Sequence, residues 1–203
     1  MPFPGGSNPR IGFLDGAIDP LRETKLSVFL PWDRNAYAVV DFPEVIHSNL
    51  GLAYLAHTHV PTIWSDRGVA PEPLEWTRHE DGSFEMLRTL PNGIAFKAEA
   101  KLEADRLAMR LSLMNGTEER LTGLRVQNSV LLGRAPEFAA LTMENRYSKD
   151  SYAAVSNAAR TRWVITAWEP LHRVWGTLSP LGSPLPGLRS GRDSDGRWNA
   201  RLP

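Results

Sequence analysis

The sequence predicts an all-β protein, a single-domain antiparallel β-sandwich with an irregular C-terminal tail. Three observations predict this fold class: short segments alternate apolar and polar residues, turn signals separate them about every 8–12 residues, and no long segment has helical 3.6-residue spacing. A length of 203 residues is common for undivided sandwiches. We expect the domain over residues 11–176, between a flexible N-terminus at 1–10 and a tail at 177–203 rich in proline and glycine.

Prolines and glycine turns delimit the strands of the first half. Strands are expected at 25–30, 36–42 and 50–59, each followed within two residues by a proline, which cannot donate to a strand ladder. The dipeptides Asp81-Gly82 and Asn92-Gly93 are strong hairpin signals. They separate further strands expected at 74–78, 83–90 and 94–102.

The second half continues the alternation. Residues 106–114 place four apolar side chains on one face of a strand, and Asn115-Gly116 turns the chain into a strand at 121–132. Asn128 lies there on an otherwise apolar stripe. An irregular segment over 134–147 precedes strands expected at 152–155 and 162–168, and we expect Trp163 of the last strand in the core.

Composition excludes several function classes. The 23 basic and 23 acidic residues balance, so we expect neither nucleic acid nor a membrane as partner. The absence of cysteine excludes disulfides, cysteine-ligated zinc and thiol nucleophiles. No signal peptide or bilayer-spanning apolar run is recognisable, which predicts a soluble, cytoplasmic protein. No phosphate-binding or dinucleotide-binding glycine motif occurs, so no nucleotide cofactor is expected.

The run RLAMRLSLMNGTEERLTGLRVQNSVLLGRAPEF, residues 106–138, resembles the central strands of the galactose-mutarotase-like β-sandwich superfamily. Residues 36–176 also resemble a group of uncharacterised bacterial proteins that share elements such as YLAHTHVPTIW and RWVITAWEP. The resemblance implies carbohydrate binding, epimerisation or lyase chemistry. Sugar epimerases of this fold carry a histidine where this chain reads Gln127-Asn128-Ser129, so the resemblance implies the fold and not the catalytic residues.

His57 and His59 are the main candidates for chemistry. In a β-strand they would point to one face, because side chains alternate with a period of two. Histidine titrates near neutral pH and could transfer protons at a sugar, with Glu169 as a further catalytic candidate. In an alternative hypothesis the pair binds a divalent transition metal, with His172, Glu169 or Glu144 as the third ligand.

Aromatic and polar side chains are the candidates for substrate binding. The chain has 7 tryptophans, and an exposed indole can stack on a sugar ring while its N–H binds a hydroxyl. Trp64 and Trp168 stand beside polar residues and are predicted to hold the sugar, together with Asn128 and, for an acidic sugar, Arg146. The first functional hypothesis is therefore a small-molecule or oligosaccharide ligand in a cleft on one sheet.

Two alternatives remain open. The metal hypothesis rests on His57, His59 and His172. A non-catalytic interaction domain would instead be marked by an exposed apolar patch in place of a polar cleft.

Overall fold

The computed structural model describes residues 18–20, 24–55, 62–69, 72, 74–103, 105–138, 140, 142, 144–149, 152–169, 185–188 and 198–201. Within these ranges the chain forms β-strands and two short 3-10 turns, Ser65–Arg67 and Pro136–Phe138, with no α-helix. All strand pairs are antiparallel. The prediction of an all-β antiparallel fold is confirmed.

Fourteen strands are described. In chain order they are β1 (Ile18–Pro20), β2 (Lys25–Leu30), β3 (Asp33–Ser48), β4 (Gly51–Tyr54), β5 (Thr77–Arg78), β6 (Phe84–Thr89), β7 (Ile94–Leu102), β8 (Leu107–Asn115), β9 (Arg125–Leu131), β10 (Arg146–Lys149), β11 (Tyr152–Ser156), β12 (Trp163–Ala167), β13 (Leu185–Leu188) and β14 (Trp198–Arg201).

The strands form three sheets. The first has the order β1-β2-β3-β9-β13, with β4 also paired to β3. The second has the order β14-β8-β7-β6-β5, and the third is the small sheet β10-β11-β12. Segments 185–188 and 198–201 lie in the stretch that the sequence predicts to be an irregular tail. They are strands instead, because β13 pairs with β9 and β14 pairs with β8.

The core lies between the first and second sheets, which makes the fold a β-sandwich. Strands β2, β3 and β9 direct one stripe of apolar side chains toward the second sheet, as alternation requires. The second sheet contributes the inward-facing apolar side chains of β6, β7 and β8. The large, deeply buried side chains of the core include Leu26, Phe42, Ile46, Val126, Met86, Ile94, Phe96 and Leu111.

Strand β3 is longer than the sequence predicts. The expected strand ends before Pro43, whereas the structure continues it to Ser48. The register of β3 against β9 shifts between Asp41 and Val45. Proline is tolerated at such a bulge, because the ladder is already interrupted there and no donor is lost.

The small sheet packs against the end of the first. Val155 of β11 and Val164 of β12 contact a cluster that includes Leu30 and Phe138. Alternation then directs Trp163 and Ile165 outward, and they are 40% and 64% exposed. The prediction that Trp163 belongs to the core is wrong.

No helix among the described residues is long and apolar enough to cross a membrane.

Candidate functional site

A groove of about 610 Å³ opens at the side of the sandwich, between the first sheet, the start of β8 and strand β12. We call it the Trp32–Trp163 groove, after the two indoles that line it. Its volume lies within the usual range for small-molecule sites, roughly 300–1,000 Å³. Its floor is aliphatic and consists of Val28, Ala38, Val40, Met109 and Val130.

One side of the groove is formed by the edge of β12 that faces away from β11. Among the described strands, β12 pairs only with β11. All five residues of Trp163–Ala167 line the groove, although successive side chains point to opposite faces. A groove on one face would contact every second residue. The groove therefore runs along the edge of this strand, where both faces and the backbone are within reach of a ligand.

Trp32 lies in the turn between β2 and β3 and is held in place by three contacts. Its Nε1 donates a hydrogen bond to Oε1 of Glu137. The guanidinium of Arg162 lies over its ring, and the Phe138 ring lies 6.3 Å away, centroid to centroid. The indole is nevertheless 37% exposed. The result is an oriented aromatic surface that a ligand can still contact.

Glu137 connects the contacts around Trp32. Its other oxygen, Oε2, accepts hydrogen bonds from Arg162 Nη1 at 3.2 Å and Asn157 Nδ2 at 3.3 Å. The 3-10 turn Pro136–Phe138 is thereby joined to the loop between β11 and β12. Because one carboxylate serves all three donors, the position of Trp32 depends on Glu137.

Trp163 is the second indole of the groove. It stacks on Tyr147 of β10, with ring centroids 5.0 Å apart and planes tilted by 51°. Such tilted pairs are favourable beyond the area they bury. The contact orients Trp163 and leaves 40% of the residue exposed, at the edge strand that borders the groove.

The polar groups of the groove are Asp105, Arg106 and Thr166. Arg106 Nε donates to Glu103 Oε2 at 2.7 Å and lies 4.0 Å from Asp105 Oδ1. The hydrogen bond to Glu103 raises the pKa of Arg106 further, so the guanidinium stays charged. Of the described residues that line the groove, only Asp105 and Arg106 are ionisable, an arrangement that favours binding over proton transfer.

The two tryptophans predicted to hold a sugar are not at the surface. Trp64 is 4% and Trp168 is 5% exposed, and both belong to the main core cluster. The Trp168 ring packs on Phe42, 5.6 Å between centroids. Trp168 continues the inward stripe of Val164, which explains its burial. The prediction that Trp64 and Trp168 offer exposed faces to a sugar is wrong.

Asn128 is buried on the core side of β9, between Val126 and Val130, as the alternation predicts. Its Oδ1 has no hydrogen-bond partner among the described residues, and the same holds for Nε of Arg146. Glu169 is exposed, two residues beyond the end of β12. None of these three predicted site residues is among those that line the groove.

His57, His59 and His172 lie outside the described residues. Their roles as catalytic residues or metal ligands therefore stay predictions. Within the described ranges, no group of three His, Asp or Glu side chains could hold a metal ion.

A buried polar cluster on the outer face of the first sheet was missed in the sequence. Glu44 accepts hydrogen bonds from Tyr54 Oη at 2.5 Å, from Gln127 Nε2 at 2.8 Å and from Ser129 Oγ. Beside it, Lys25 Nζ and Asp41 Oδ1 form a buried ion pair at 2.7 Å. The donors come from β2, β4 and β9, and both carboxylates lie on β3.

The two carboxylates of the cluster lie at the bulge of β3, where the register against β9 shifts between Asp41 and Val45. Burial raises the pKa of Tyr54, and donation to Glu44 and repulsion from the Glu44 and Asp41 carboxylates raise it further. Tyr54 therefore stays a protonated donor. The available signal in the sequence was a pair of acids, Asp41 and Glu44, inside an apolar strand, where a charge needs partners.

A scan against protein-family models found no match to this chain, and searches of curated proteins and of solved structures found no significant match. The Trp32–Trp163 groove combines oriented indoles, an aliphatic floor and a few hydrogen-bonding groups, which together suit a ligand with both apolar and hydroxyl-bearing surfaces.

Proposed function

We propose that the protein binds a carbohydrate in the Trp32–Trp163 groove. The observation that carries the proposal is the pair of oriented, partly exposed indoles on one groove of ligand size. The C–H face of a sugar ring can stack on an indole, as aromatic side chains combine a large apolar face with a polar edge. Asp105, Arg106 and Thr166 supply acceptors and donors for hydroxyl groups.

The proposed ligand class is the one that the sequence predicts, but the proposed binding site is a different one. Trp32 and Trp163 take the place of Trp64 and Trp168, which are buried. The resemblance of residues 106–138 to the galactose-mutarotase-like superfamily supports the same ligand class. We propose binding without a reaction, since Asp105 and Arg106 are the only ionisable groups among the described lining residues.

Calorimetry and tryptophan fluorescence against a panel of neutral and acidic oligosaccharides test this function. We expect at least one sugar to bind. Trp32→Ala and Trp163→Ala should each weaken the affinity for that sugar about two- to tenfold, because each removes one aromatic contact of about 0.5–1.5 kcal/mol. Leu87→Ala is the matched control, because Leu87 is an exposed apolar residue of β6 that does not line the groove. No heat and no fluorescence change with any sugar would refute the proposal.

A second candidate function is a non-catalytic interaction domain. Tyr147, Tyr152, Trp163 and Ile165 are all exposed on the small sheet, and contiguous exposed apolar surface marks interaction sites. Tyr152 does not line the groove, so Tyr152→Lys separates the two functions. Loss of a partner or of self-association in Tyr152→Lys, without any sugar binding in the unmodified protein, would favour the interaction domain.

A further inference from the structure

We infer that the ligand of the Trp32–Trp163 groove is a glycoside with an apolar aglycone, an alkyl or aryl group that lies on the aliphatic floor. The inference rests on the proposed carbohydrate function and specifies its ligand. It assigns the two parts of the groove to two parts of one molecule.

The floor is a continuous aliphatic surface across three adjacent strands. Val28 of β2 pairs with Ala38 of β3, and Val40 of β3 pairs with Val130 of β9. Ala38 and Val40 share a face, because they are two residues apart in one strand. All four side chains therefore lie side by side on the core-facing surface of the first sheet.

The floor also reaches the interior of the sandwich. Val28, Val40 and Met109 belong to the main core cluster, and Val130 packs against it. These residues come from both sheets, since Met109 is on β8. The groove thus leads from the exposed indoles toward the space between the sheets. The floor residues along this path are all apolar.

A free sugar does not fill this floor well. Hydroxyl groups placed on an aliphatic surface lose their hydrogen bonds to water and gain none in return. The sugar ring is therefore expected at the indoles and near Asp105, Arg106 and Thr166. An alkyl or aryl group is the part of a ligand that gains by contact with Val28, Val40 and Val130.

The charges of the groove favour an uncharged head over an anionic lipid. The Arg106 guanidinium is paired with Glu103 at 2.7 Å, and Asp105 adds a second carboxylate 4.0 Å away. These three side chains carry two negative charges and one positive charge. They leave no uncompensated cation for a carboxylate or phosphate, whereas sugar hydroxyls can bond to the Asp105 carboxylate and the Arg106 guanidinium, the two charged groups that line the groove.

Titration calorimetry with methyl, butyl and octyl β-glucosides and β-galactosides, all below their micellar concentrations, tests the inference. We expect affinity to rise with chain length by up to about fourfold per methylene, the gain from removing one methylene from water. Octanoate and 1-octanol are the comparison ligands. Val130→Thr preserves side-chain shape and adds a hydroxyl to the floor, so it should reduce the octyl-to-methyl affinity ratio, with thermal unfolding as the check on folding.

The outcomes separate the inference from the function on which it rests. Equal affinity for methyl and octyl glycosides would overturn the inference and leave carbohydrate binding intact. Octanol or octanoate binding as tightly as the octyl glycosides, with no binding of methyl glycosides, would overturn both. An affinity that rises with chain length, falls in Trp32→Ala and depends less on chain length in Val130→Thr would support both.

Discussion

The guanidinium carbon of Arg162 lies 5.1 Å from the centroid of the Trp32 indole. Arg162 directly precedes β12, and Trp32 lies in the turn between β2 and β3, so the contact joins the small sheet to the first sheet at the groove. The same guanidinium pairs with Glu137, which also accepts the indole N–H. The orientation of the indole proposed to contact a ligand therefore depends on an ion pair that does not line the groove.

Replacing Arg162 with alanine should weaken ligand binding about two- to fivefold, since an exposed cation–π contact contributes about 0.5–1 kcal/mol. The free energy of unfolding should change by no more than about 1 kcal/mol, because the ion pair is partly exposed. Calorimetry with the best-binding sugar measures the first and thermal unfolding the second. Arg120→Ala, at an exposed site remote from Trp32 in sequence, is the control. Unchanged affinity in Arg162→Ala would show that the contact does not orient the indole.

Replacing Asp41 with asparagine should destabilise the protein by about 3–5 kcal/mol. The change leaves the buried Lys25 ammonium without its counter-charge, and an uncompensated buried charge is costly. The double variant Lys25→Met/Asp41→Asn should be less destabilised than the sum of the two single variants, because it removes both charges. Urea unfolding of the four proteins gives this coupling free energy. Additive losses would contradict a direct ion pair.

The stabilising contribution of Tyr54 to the free energy of unfolding should decrease at alkaline pH. Because its pKa is raised in the folded state above the ordinary value of about 10, the native protein retains a proton that the unfolded chain releases. The stabilising contribution is fully present below about pH 10 and is lost as pH rises further. Tyr54→Phe should cost about 1–3 kcal/mol at pH 7, since Glu44 loses a hydrogen-bond donor.

The free-energy difference between the original protein and Tyr54→Phe should therefore shrink between about pH 10 and pH 12. Urea unfolding at each pH measures it. The raised pKa values of Lys97 and Lys101 affect both proteins alike and cancel in the difference. A difference that stays constant over this range would show that the Tyr54 phenol does not titrate as the contact with Glu44 requires.

The sequence predicted strands better than it predicted which face of a strand is buried. The bounds of β2 and β7 agree with the structure, because Pro31 and the Asn92-Gly93 turn delimit them. In the segment 163–168, which comprises β12 and Trp168, both faces carry large apolar side chains. Trp163 and Ile165 lie on one face, and Val164 and Trp168 lie on the other. Alternation alone separates these stripes but cannot assign either to the core. Packing of Val164 against the cluster around Phe138 decides it.

The candidate site was harder to predict because it is assembled from segments that are distant in sequence. Trp32 follows β2, Arg106 precedes β8 and Trp163 begins β12, and only the packing of three sheets brings them to one groove. The Glu44 cluster depends likewise on the register shift between β3 and β9, which aligns Gln127 and Ser129 with a residue next to Pro43. A shift of this kind leaves no periodic signal in either strand.

A side chain at Gly116 should destabilise the protein, because the turn after β8 packs there directly against the backbone of the turn before β7. Its amide donates to the carbonyl oxygen of Gly93 at 3.0 Å, and a Cβ at Gly116 would clash with that same backbone oxygen. Gly116→Ala must therefore displace backbone and weaken the hydrogen bond, at a cost of about 1–3 kcal/mol. Gly133→Ala is the control, since nothing lies within 4 Å of a Cβ there; it should be neutral or slightly stabilising. Equal thermal stability of the two variants would mean that the turns around Gly93 and Gly116 can separate without cost.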